Sequence, residues 1–154
     1  MTSTADLYDE RGDELQSLSL QLRSFGALPI FSGPVRTVRC FEDNALLKSV
    51  LATPGNGAVL VVDGGGSLET ALLGDMIATS ACENGWSGVI VFGAIRDQVA
   101  IGEVPIGIKA LGTNPRKSAK AGSGEVDVTL QIGRVTFRPG AIVFSDEDGV
   151  LVER

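Results

Sequence analysis

Two short runs of apolar, largely β-branched residues constrain the fold more than any other feature of the chain. The first covers residues 58–62 and the second covers residues 88–92. Runs this short that are apolar at every position are typical of parallel strands covered on both faces. Parallel neighbours need a long connection, which is normally a right-handed helical crossover. The two runs therefore predict a central strand–helix–strand unit.

The segment between the two runs carries the start and stop signals of two helical pieces. Ser67 can cap a first piece, Gly74 interrupts it, and Asp75 can cap a second piece. Gly85 follows Asn84 as a stop signal.

Polar and charged residues follow the carboxyl ends of both predicted strands. Ligands of parallel sheets bind outside these ends. Several candidates are therefore expected to meet at one edge of the sheet, namely Asp63, the glycines at 64–66, the helix start at Asp75, and the pair Arg96 and Asp97.

The remaining sequence predicts mixed sheets with helices on one side, in a single domain over residues 1–154. Helices are expected over residues 5–10, 13–23 and 44–51. Strands are expected over residues 35–40, 106–111, 126–132, 135–137, 142–144 and 150–152. Residues 112–124 form a polar loop. The acidic run at 146–149 ends in Asp-Gly, a strong hairpin signal, so we interpret it as a turn rather than a cation site.

Composition excludes several classes of function. A content of 44% hydrophobic and 21% charged residues in 154 residues favours a compact globule. A net charge of −6 argues against direct nucleic-acid binding and suits a basic protein partner better. The polar start and the lack of an apolar run near twenty residues predict a cytoplasmic protein that does not enter a membrane.

The chain contains no histidine and only two cysteines. Catalysis must therefore depend on carboxylates, Arg, Lys, backbone dipoles or a metal with oxygen ligands. Cys40 and Cys82 lack metal-ligand spacing and are expected to be buried, reduced thiols.

Four basic residues in the second half of the chain suggest an alternative chemistry, catalysis by a Schiff-base lysine; they are Lys109, Arg116, Lys117 and Lys120. Such a lysine must be desolvated or lie beside another cation, so that its amine is neutral near pH 7. Arg116, Lys117 and Lys120 lie in the polar loop, where a solvated or intersubunit role is favoured. Lys109 lies in a predicted strand and receives no role.

The glycine-rich turn at residues 64–66 resembles a phosphate-binding loop. Its sequence, GGGS, has neither G-x-G-x-x-G nor Walker A spacing, which disfavours nucleotide binding. A methyltransferase of quinone biosynthesis is disfavoured because the turn is not a convincing cofactor fingerprint.

Beyond these patterns, the chain resembles the family called regulator of ribonuclease activity A, which includes metal-dependent 4-hydroxy-4-methyl-2-oxoglutarate aldolases. The matching segments span nearly the whole chain, at residues 32–34, 61–67, 74–75, 93–97 and 112–116. The most specific match is the spacing between Asp75 and the pair Arg96 and Asp97, with twenty residues between Asp75 and Arg96. This spacing resembles the signature of the family's enzymatically active members.

The resemblance implies an α/β swivelling-domain fold, which is a phosphohistidine-domain-like αββ sandwich. It also implies a ring-shaped homotrimer or a dimer of trimers, with substrate clefts near subunit boundaries. The backbone of Gly74, Asp75, Met76 and Ile77 would hold a pyruvate-like group. Arg96 would contact the substrate, and Asp97 would bind a divalent cation, Mg²⁺ or Mn²⁺.

The predicted chemistry is the cleavage of a carbon–carbon bond next to a 2-oxo acid, which leaves an enolate of pyruvate. A helix N-terminus, an Arg fork and a cation held by a carboxylate each stabilise such a charge. Asp75 is the candidate general base, although N-capping is its alternative role. We therefore expect a lyase that acts on 4-hydroxy-2-oxo acids and also decarboxylates oxaloacetate.

The competing hypothesis is a binding protein that restrains a ribonuclease. Inhibitory relatives tend to lack the acidic residue after the arginine, so Asp97 favours the enzyme. Some relatives carry an acidic residue three positions after the metal-binding aspartate, where this chain has Ala100. Substrate choice therefore follows less directly from the resemblance than the metal site does.

Overall fold

A computed structural model describes all of residues 1–154 and has a mixed α/β architecture with few helices. The helices are α1 (Thr4–Arg11), α2 (Ala45–Leu51), α3 (Asp75–Glu83) and α4 (Gln98–Ile101), and a 3-10 turn spans Gly12–Glu14. The strands are β1 (Leu15–Ser17), β2 (Arg23–Ser24), β3 (Phe31–Arg39), β4 (Val59–Asp63), β5 (Ala71–Leu73), β6 (Gly88–Ile95), β7 (Gly107–Thr113), β8 (Glu125–Val126), β9 (Leu130–Ile132), β10 (Val135–Phe137), β11 (Ile142–Asp146) and β12 (Gly149–Glu153).

Ten strands form one large mixed sheet. Its main path runs β1-β12-β11-β3-β4-β6-β7-β2, with β5 beside β6 and β8 beside β3. Strands β3, β4, β6 and β7 are parallel neighbours, whereas β11 and β12 form an antiparallel hairpin. Strand β3 joins the two parts, because residues 31–34 pair with β11 and residues 35–39 pair with β4. Strands β9 and β10 form a separate antiparallel hairpin.

The predicted central unit is confirmed, since β4 and β6 are parallel neighbours and α3 lies between them in the chain. Side chains of a strand alternate between the two faces of its sheet. Leu60 and Val62 belong to one buried core, and Val59 and Val61 belong to a second core on the opposite face. Both faces are covered, which explains why every position of the run is apolar.

Helices α2, α3 and α4 lie on one of the two cores, as expected, whereas α1 contacts β11 through Thr4 and Asp146. Buried residues of α2, α3 and α4 all pack into the same cluster, namely Leu47, Val50, Leu51, Ile77, Ala78, Ala81 and Ile101. The second core contains residues of the hairpins, including Leu130, Val135, Val143 and Val152. The molecule therefore has a helical layer, the parallel strands and a further β layer, as the resemblance implied.

The first helical piece predicted after Ser67 is wrong. The chain instead makes turns and then the short strand β5, in which Ala71 pairs with Ala94 and Leu73 pairs with Ile95. Here the edge of the sheet overrides local helix signals. The second piece is confirmed as α3, which ends at Glu83 and is followed by the C-cap residue Asn84 and by Gly85, whose φ is 81°.

Two other predicted elements are also wrong. Residues 13–23 form a 3-10 turn and strand β1 rather than a helix, because Leu15 and its neighbours pair with β12 at the end of the chain. The strand predicted over residues 126–132 is divided into β8 and β9, because Asp127 has a positive φ of 57° and leaves the extended conformation.

Both cysteines are free thiols, and they differ in exposure. Cys40 is buried as expected, and this burial, reinforced by Asp43 and Asp63, raises the pKa of its thiol to about 12. Cys82 is only half-buried, so the expectation of full burial is wrong for it. None of the helices has the length and apolar character needed to cross a membrane.

Candidate active site

The candidate site is formed where β5 and β6 end side by side. Strand β4 pairs with the first part of β6, up to Asp63 opposite Phe92. Strand β5 then occupies the neighbouring position beside the last residues of β6. The chain following β5 therefore lies against the chain following Ile95, which brings residues 74–75 next to residues 96–97.

The backbone of α3 begins at the side chain of Asp97. The N–H of Asp75 donates a hydrogen bond to Oδ2 of Asp97 at 3.1 Å. Gly74 is the N-cap residue, and a Cβ atom there would lie only 2.7 Å from Oδ2 of Asp97. Glycine is therefore required for this close approach.

Asp75 occupies the first helical position and does not cap the helix with its side chain. The predicted alternative, in which Asp75 serves as N-cap, is therefore wrong, because the carboxylate of Asp97 has taken that role. The N–H groups of Met76 and Ile77 have no acceptor within the chain. Free N–H groups in the first turn of a helix are suited to bind an anion.

Arg96 and Asp97 follow β6 directly and remain accessible. Their side chains are 43% and 41% exposed, and the closest approach between Nε of Arg96 and Oδ2 of Asp97 is 4.0 Å. Arg96 also donates from Nη1 to the carbonyl oxygen of Pro115 at 3.4 Å. Arg96 and Asp97 do not form a close ion pair with each other, so both side chains are available to bind a ligand.

Asp97 has a left-handed backbone conformation, with φ of 59° and ψ of 39°. Among residues other than glycine, Asp and Asn adopt this conformation most readily. It directs the carboxylate back towards the start of α3, while the carbonyl oxygen of Asp97 accepts from Ile101 N–H at 2.8 Å.

Two cavities meet at Arg96 and Asp97. The Thr113 cavity has a volume of about 280 Å³ and is completed by Gln98, Thr113, Asn114 and Pro115. The lysine cavity has a volume of about 100 Å³. Its other lining residues are Asn44, Lys48, Ala71, Gly74, Asp75, Met76, Ile77, Lys117 and Lys120. The lysine cavity is therefore lined by all six residues for which the family resemblance implied a role, namely Gly74, Asp75, Met76, Ile77, Arg96 and Asp97.

Asp63 and the glycine turn were expected at the same edge, but they do not line either cavity. Asp63 lies 3.8 Å from Nε of Arg39 and accepts from the N–H of Gly65 at 2.9 Å. A Cβ atom on Gly64 would lie 2.6 Å from Leu72, so this glycine permits packing within the protein. The expectation for Asp63 is wrong because β4 ends three residues before β6 does.

None of the three lysines of the cavity was predicted as a site residue. Lys117 and Lys120 are exposed, as expected for a polar loop, yet both line the lysine cavity together with Lys48. Nζ of Lys120 donates to Oδ1 of Asn44 at 3.2 Å. No local pattern in the sequence indicates this placement, because it depends on contacts between distant segments.

The charges around the lysine cavity favour anions. Lys48, Lys117, Lys120 and Arg96 contribute four positive charges, against the two carboxylates of Asp75 and Asp97. Converging charges of one sign raise the local concentration of an oppositely charged ligand. The net charge of the chain is −6, so this positive region differs from the rest of the surface.

A divalent cation fits the donor set at Asp97 only as an ion with an open coordination shell. No group of three or more His, Cys, Asp or Glu side chains is placed to hold a metal. Mg²⁺ is commonly bound through one or two carboxylates, with water and substrate oxygens completing its octahedron. The exposed carboxylate of Asp97 beside a cavity is compatible with that mode.

Comparison with known proteins identifies the family. The family described as RraA-like, Aldolase/RraA, matches residues 4–152. The chain belongs to the RraA-like family. The family description names an aldolase, and solved relatives of this RraA-like chain are described as inhibitors of RNA processing.

Three solved structures illustrate the similarity. A protein from Geobacillus kaustophilus, described as an S-adenosylmethionine:2-dimethylmenaquinone methyltransferase, is 52% identical, with a TM-score of 0.97 over 99% of this chain and 94% of the other. The RNA-processing inhibitor RraA from Thermus is 51% identical, with a TM-score of 0.96 over 99% and 93%. Streptomyces coelicolor RraAS2, an unusual member of an RNase ES inhibitor family, is 32% identical, with a TM-score of 0.74 over 96% and 76%.

Proposed function

We propose that this RraA-like protein is a divalent-metal-dependent lyase. Its substrates would be 4-hydroxy-2-oxo dicarboxylic acids such as 4-hydroxy-4-methyl-2-oxoglutarate, cleaved to give pyruvate, and oxaloacetate, which it would decarboxylate. The observation that supports this proposal best is the hydrogen bond of 3.1 Å between Asp75 N–H and Asp97 Oδ2. It brings a carboxylate, a guanidinium and a helix N-terminus to the edge of one cavity.

The 2-oxo acid end of the substrate would bind at the start of α3. The unpartnered N–H groups of Met76 and Ile77 would donate to its carboxylate. Arg96, whose guanidinium is 43% exposed, would add a planar pair of donors to the carboxylate or the 2-oxo oxygen. Asp97 would hold Mg²⁺ or Mn²⁺. When bound, such an ion supplies Lewis-acid stabilisation of negative charge.

The second carboxylate of the substrate would lie among the lysines. Lys48, Lys117 and Lys120 line the cavity, and the only carboxylates that line it are those of Asp75 and Asp97. A substrate with two carboxylates matches a cavity with four cationic side chains. This charge balance favours dicarboxylic over monocarboxylic substrates.

Asp75 would act as the general base in the aldol cleavage. It removes the proton of the C4 hydroxyl, the C3–C4 bond breaks, and the electron pair of this bond forms the enolate of pyruvate. The C4 hydroxyl becomes a carbonyl in the second product, and protonation at C3 completes pyruvate. Because the side chain of Asp75 is not used as a cap, it is free for this role.

Decarboxylation of oxaloacetate would use the same enolate without a base. The C3–C4 bond breaks with release of CO₂, and C3 is then protonated to give pyruvate. Asp75→Asn is therefore expected to reduce aldol cleavage by roughly 100-fold and decarboxylation by much less. Equal loss of both reactions, with metal uptake intact, would contradict the assignment of Asp75 as base.

The direct test follows pyruvate formation from oxaloacetate and from 4-hydroxy-4-methyl-2-oxoglutarate after chelation. Turnover should be absent in EDTA and return with Mg²⁺ or Mn²⁺. Asp9→Asn is a suitable control, because Asp9 is exposed on α1 and does not line either cavity. Turnover that ignores EDTA, or no turnover at all by folded protein, would contradict the proposal.

A second candidate function is regulation of a ribonuclease through protein contacts. The description of the Thermus relative, at 51% identity, favours it. A pull-down with a purified ribonuclease E-type enzyme, followed by an RNA cleavage assay, tests this function separately. Binding without any metal-dependent lyase activity would favour the regulator.

We also propose that the chain assembles as a homotrimer or a dimer of trimers, with the cleft near a subunit boundary. Met76 and Val99 flank the site and are 82% and 83% exposed. Contiguous exposed apolar patches mark protein interaction sites, and two such side chains beside the cavity support contact with another subunit there. Light scattering after size-exclusion chromatography should give three or six times the chain mass of 16.0 kDa. A monomer would contradict this assembly.

A further inference from the structure

Asp43 is a buried aspartate that has no role in the proposed aldol cleavage or decarboxylation. It is 4% exposed, and its carboxylate accepts three backbone N–H groups. Oδ1 accepts from Ala45 at 3.2 Å and from Gly122 at 3.1 Å, and Oδ2 accepts from Ala121 at 2.8 Å. Burial raises the pKa of this carboxyl, but the backbone N–H groups outweigh burial and lower its pKa overall.

These hydrogen bonds connect two segments that are far apart in the sequence. Ala45 begins α2, whereas Ala121 and Gly122 belong to the polar loop. The adjacent backbone repeats the connection, because Asn44 N–H donates to Ala119 O at 3.0 Å and Ala119 N–H donates to Glu42 O at 2.9 Å. Asp43 therefore holds the polar loop against the start of α2.

The other end of the loop is held by β5. Ser118 is buried, and its Oγ donates to the carbonyl oxygen of Ala71 at 2.7 Å. Ala71 N–H in turn donates to Arg116 O at 2.7 Å. Lys117 lies between these two attachments, and Lys120 lies between Ser118 and the residues bound by Asp43. The loop is thus attached on both sides of each lysine.

We propose that Asp43 is a positioning residue that sets the affinity of the site for the second carboxylate of a dicarboxylic 2-oxo acid, by fixing the loop that carries Lys117 and Lys120. The inference rests on the proposed function, because it assigns a substrate group to the same cavity. Asp43 does not line the cavity, so it acts on the substrate only through the segments that it holds, of which the loop carries two of the three lysines. Of the two lysines, Lys120 is the more directly connected to Asp43, because its Nζ donates a hydrogen bond to Asn44, the next residue in the chain.

The test compares a substrate that has two carboxylates with one that has a single carboxylate. Asp43→Asn should raise KM for 4-hydroxy-4-methyl-2-oxoglutarate about tenfold, with kcat within about threefold of wild type. The kcat/KM for 4-hydroxy-2-oxopentanoate, which lacks the second carboxylate, should not change. Amide hydrogen exchange at Ala121 and Gly122 should become faster. If Asp43→Asn does not fold, Asp43→Ser, which keeps an oxygen acceptor, takes its place.

Two further variants separate positioning from a general structural effect. Lys120→Met should reproduce the increase in KM, and adding Asp43→Asn to it should change KM by less than about twofold further. Asp146→Asn is the matched control, because Asp146 is also buried and also binds backbone N–H groups but lies on β11, outside both cavities. It should leave both substrates unaffected. Equal losses on both substrates, or an unchanged KM despite faster exchange, would overturn the proposal.

Binding measurements keep this inference distinct from the proposed function. If wild-type protein turns over neither substrate, the lyase proposal fails, and calorimetry with 2-oxoglutarate and pyruvate then tests Asp43. A Kd for 2-oxoglutarate that is weakened about tenfold by Asp43→Asn, with pyruvate binding unchanged, would support the positioning role. Equal weakening of both ligands, or no binding of 2-oxoglutarate by wild type, would overturn it.

Discussion

The candidate site and the β11–β12 hairpin use the same kinds of charged residue in opposite ways. At the hairpin, Asp146 is 5% exposed and accepts from both the N–H and the hydroxyl of Thr4, at 2.8 and 2.7 Å. Lys109 is 3% exposed and donates to the carbonyl oxygens of Asp146 and Gly149. At the site, Arg96 and Asp97 are more than 40% exposed and approach each other only to 4.0 Å.

The difference separates charges that stabilise the fold from charges that are available to a ligand. Buried charged groups need partners within the protein, and Asp146 and Lys109 both have them. The side chains of Arg96 and Asp97 make few contacts within the chain while lining a cavity. We therefore expect changes at the site to affect turnover with little loss of stability, and changes at the hairpin to do the reverse.

Asp97→Asn is expected to have the largest effect. It should lower metal-dependent turnover at least about 100-fold, because a neutral amide replaces the proposed metal ligand. Asn also tolerates the left-handed backbone at this position, so Tm should stay within about 2 °C of wild type. Steady-state kinetics and thermal unfolding check the two parts. A large fall in Tm with unchanged turnover would place Asp97 among the structural residues instead.

Lys109→Met should give the opposite pattern. Methionine fills much of the same space, but the carbonyl oxygens of Asp146 and Gly149 lose their buried donor. The free energy of unfolding should fall by about 1–3 kcal/mol, while the turnover of folded protein stays unchanged. Urea denaturation and kinetics on the same sample measure both. If turnover fell in proportion to stability, the separation of the two regions would be wrong.

Gly74→Ala tests the close approach at the start of α3. The added Cβ would lie 2.7 Å from Oδ2 of Asp97 and must displace that carboxylate. Turnover should fall about tenfold, since small displacements of catalytic groups are costly in rate. Gly112→Ala is the control, because a Cβ there meets only Leu68 at an ordinary 3.7 Å. Equal kinetics in both variants would show that the carboxylate position is not critical.

The hairpin contributes to the pH dependence of stability through Asp146, with a smaller expected effect than the substitutions above. Burial raises the pKa of Asp146, but hydrogen bonds from Thr4, Asp148 and Gly149 outweigh it and lower the pKa below 3.8. Between the folded and unfolded values the unfolded chain binds more protons, so this stabilisation is present above pH 3.8 and is lost as pH falls. The stability difference between wild type and Asp146→Asn, measured in urea, should therefore shrink in acid. A constant difference would contradict this assignment.

Lys109 also makes a contribution to stability that increases with pH, but in the alkaline range. Its burial lowers the pKa of its ammonium group below 10.5, against the opposing influence of Asp146 and Glu147. With respect to Lys109, the unfolded chain binds more protons between the folded value and 10.5, so the contribution of this group to stability should rise with pH across this window, whereas the raised pKa of Cys40 contributes with the opposite sign. The difference in the free energy of unfolding between wild type and Lys109→Met, measured in urea, should therefore increase with pH across this window, and a constant difference would contradict the assignment.

Much of the fold and the main candidate residues could be predicted from sequence, because both follow from local patterns. The runs at 58–62 and 88–92 predict parallel strands. Because ligands of parallel sheets bind outside the carboxyl ends of the strands, Asp75, Arg96 and Asp97 are predicted to lie together. The failures have tertiary causes. Residues 71–73 became a strand because the end of β6 offers an edge, and β1 formed because β12 lies beside it.

The lysines of the site could not be predicted for the same reason. Nothing in the spacing of Lys117 and Lys120 indicates a cavity, because their loop is fixed by Asp43 and Ala71 across long stretches of sequence. The error at Asp63 is one of register, since the sequence does not indicate that β6 continues three residues beyond the end of β4.

The most direct test of the account is calorimetric titration of Mn²⁺ into chelated protein in the presence of pyruvate. We predict uptake of one ion per chain by wild type and by Asp146→Asn, and none by Asp97→Asn. Absence of uptake by wild type, or equal uptake by Asp97→Asn, would contradict the claim that this cavity is a metal-dependent 2-oxo acid site.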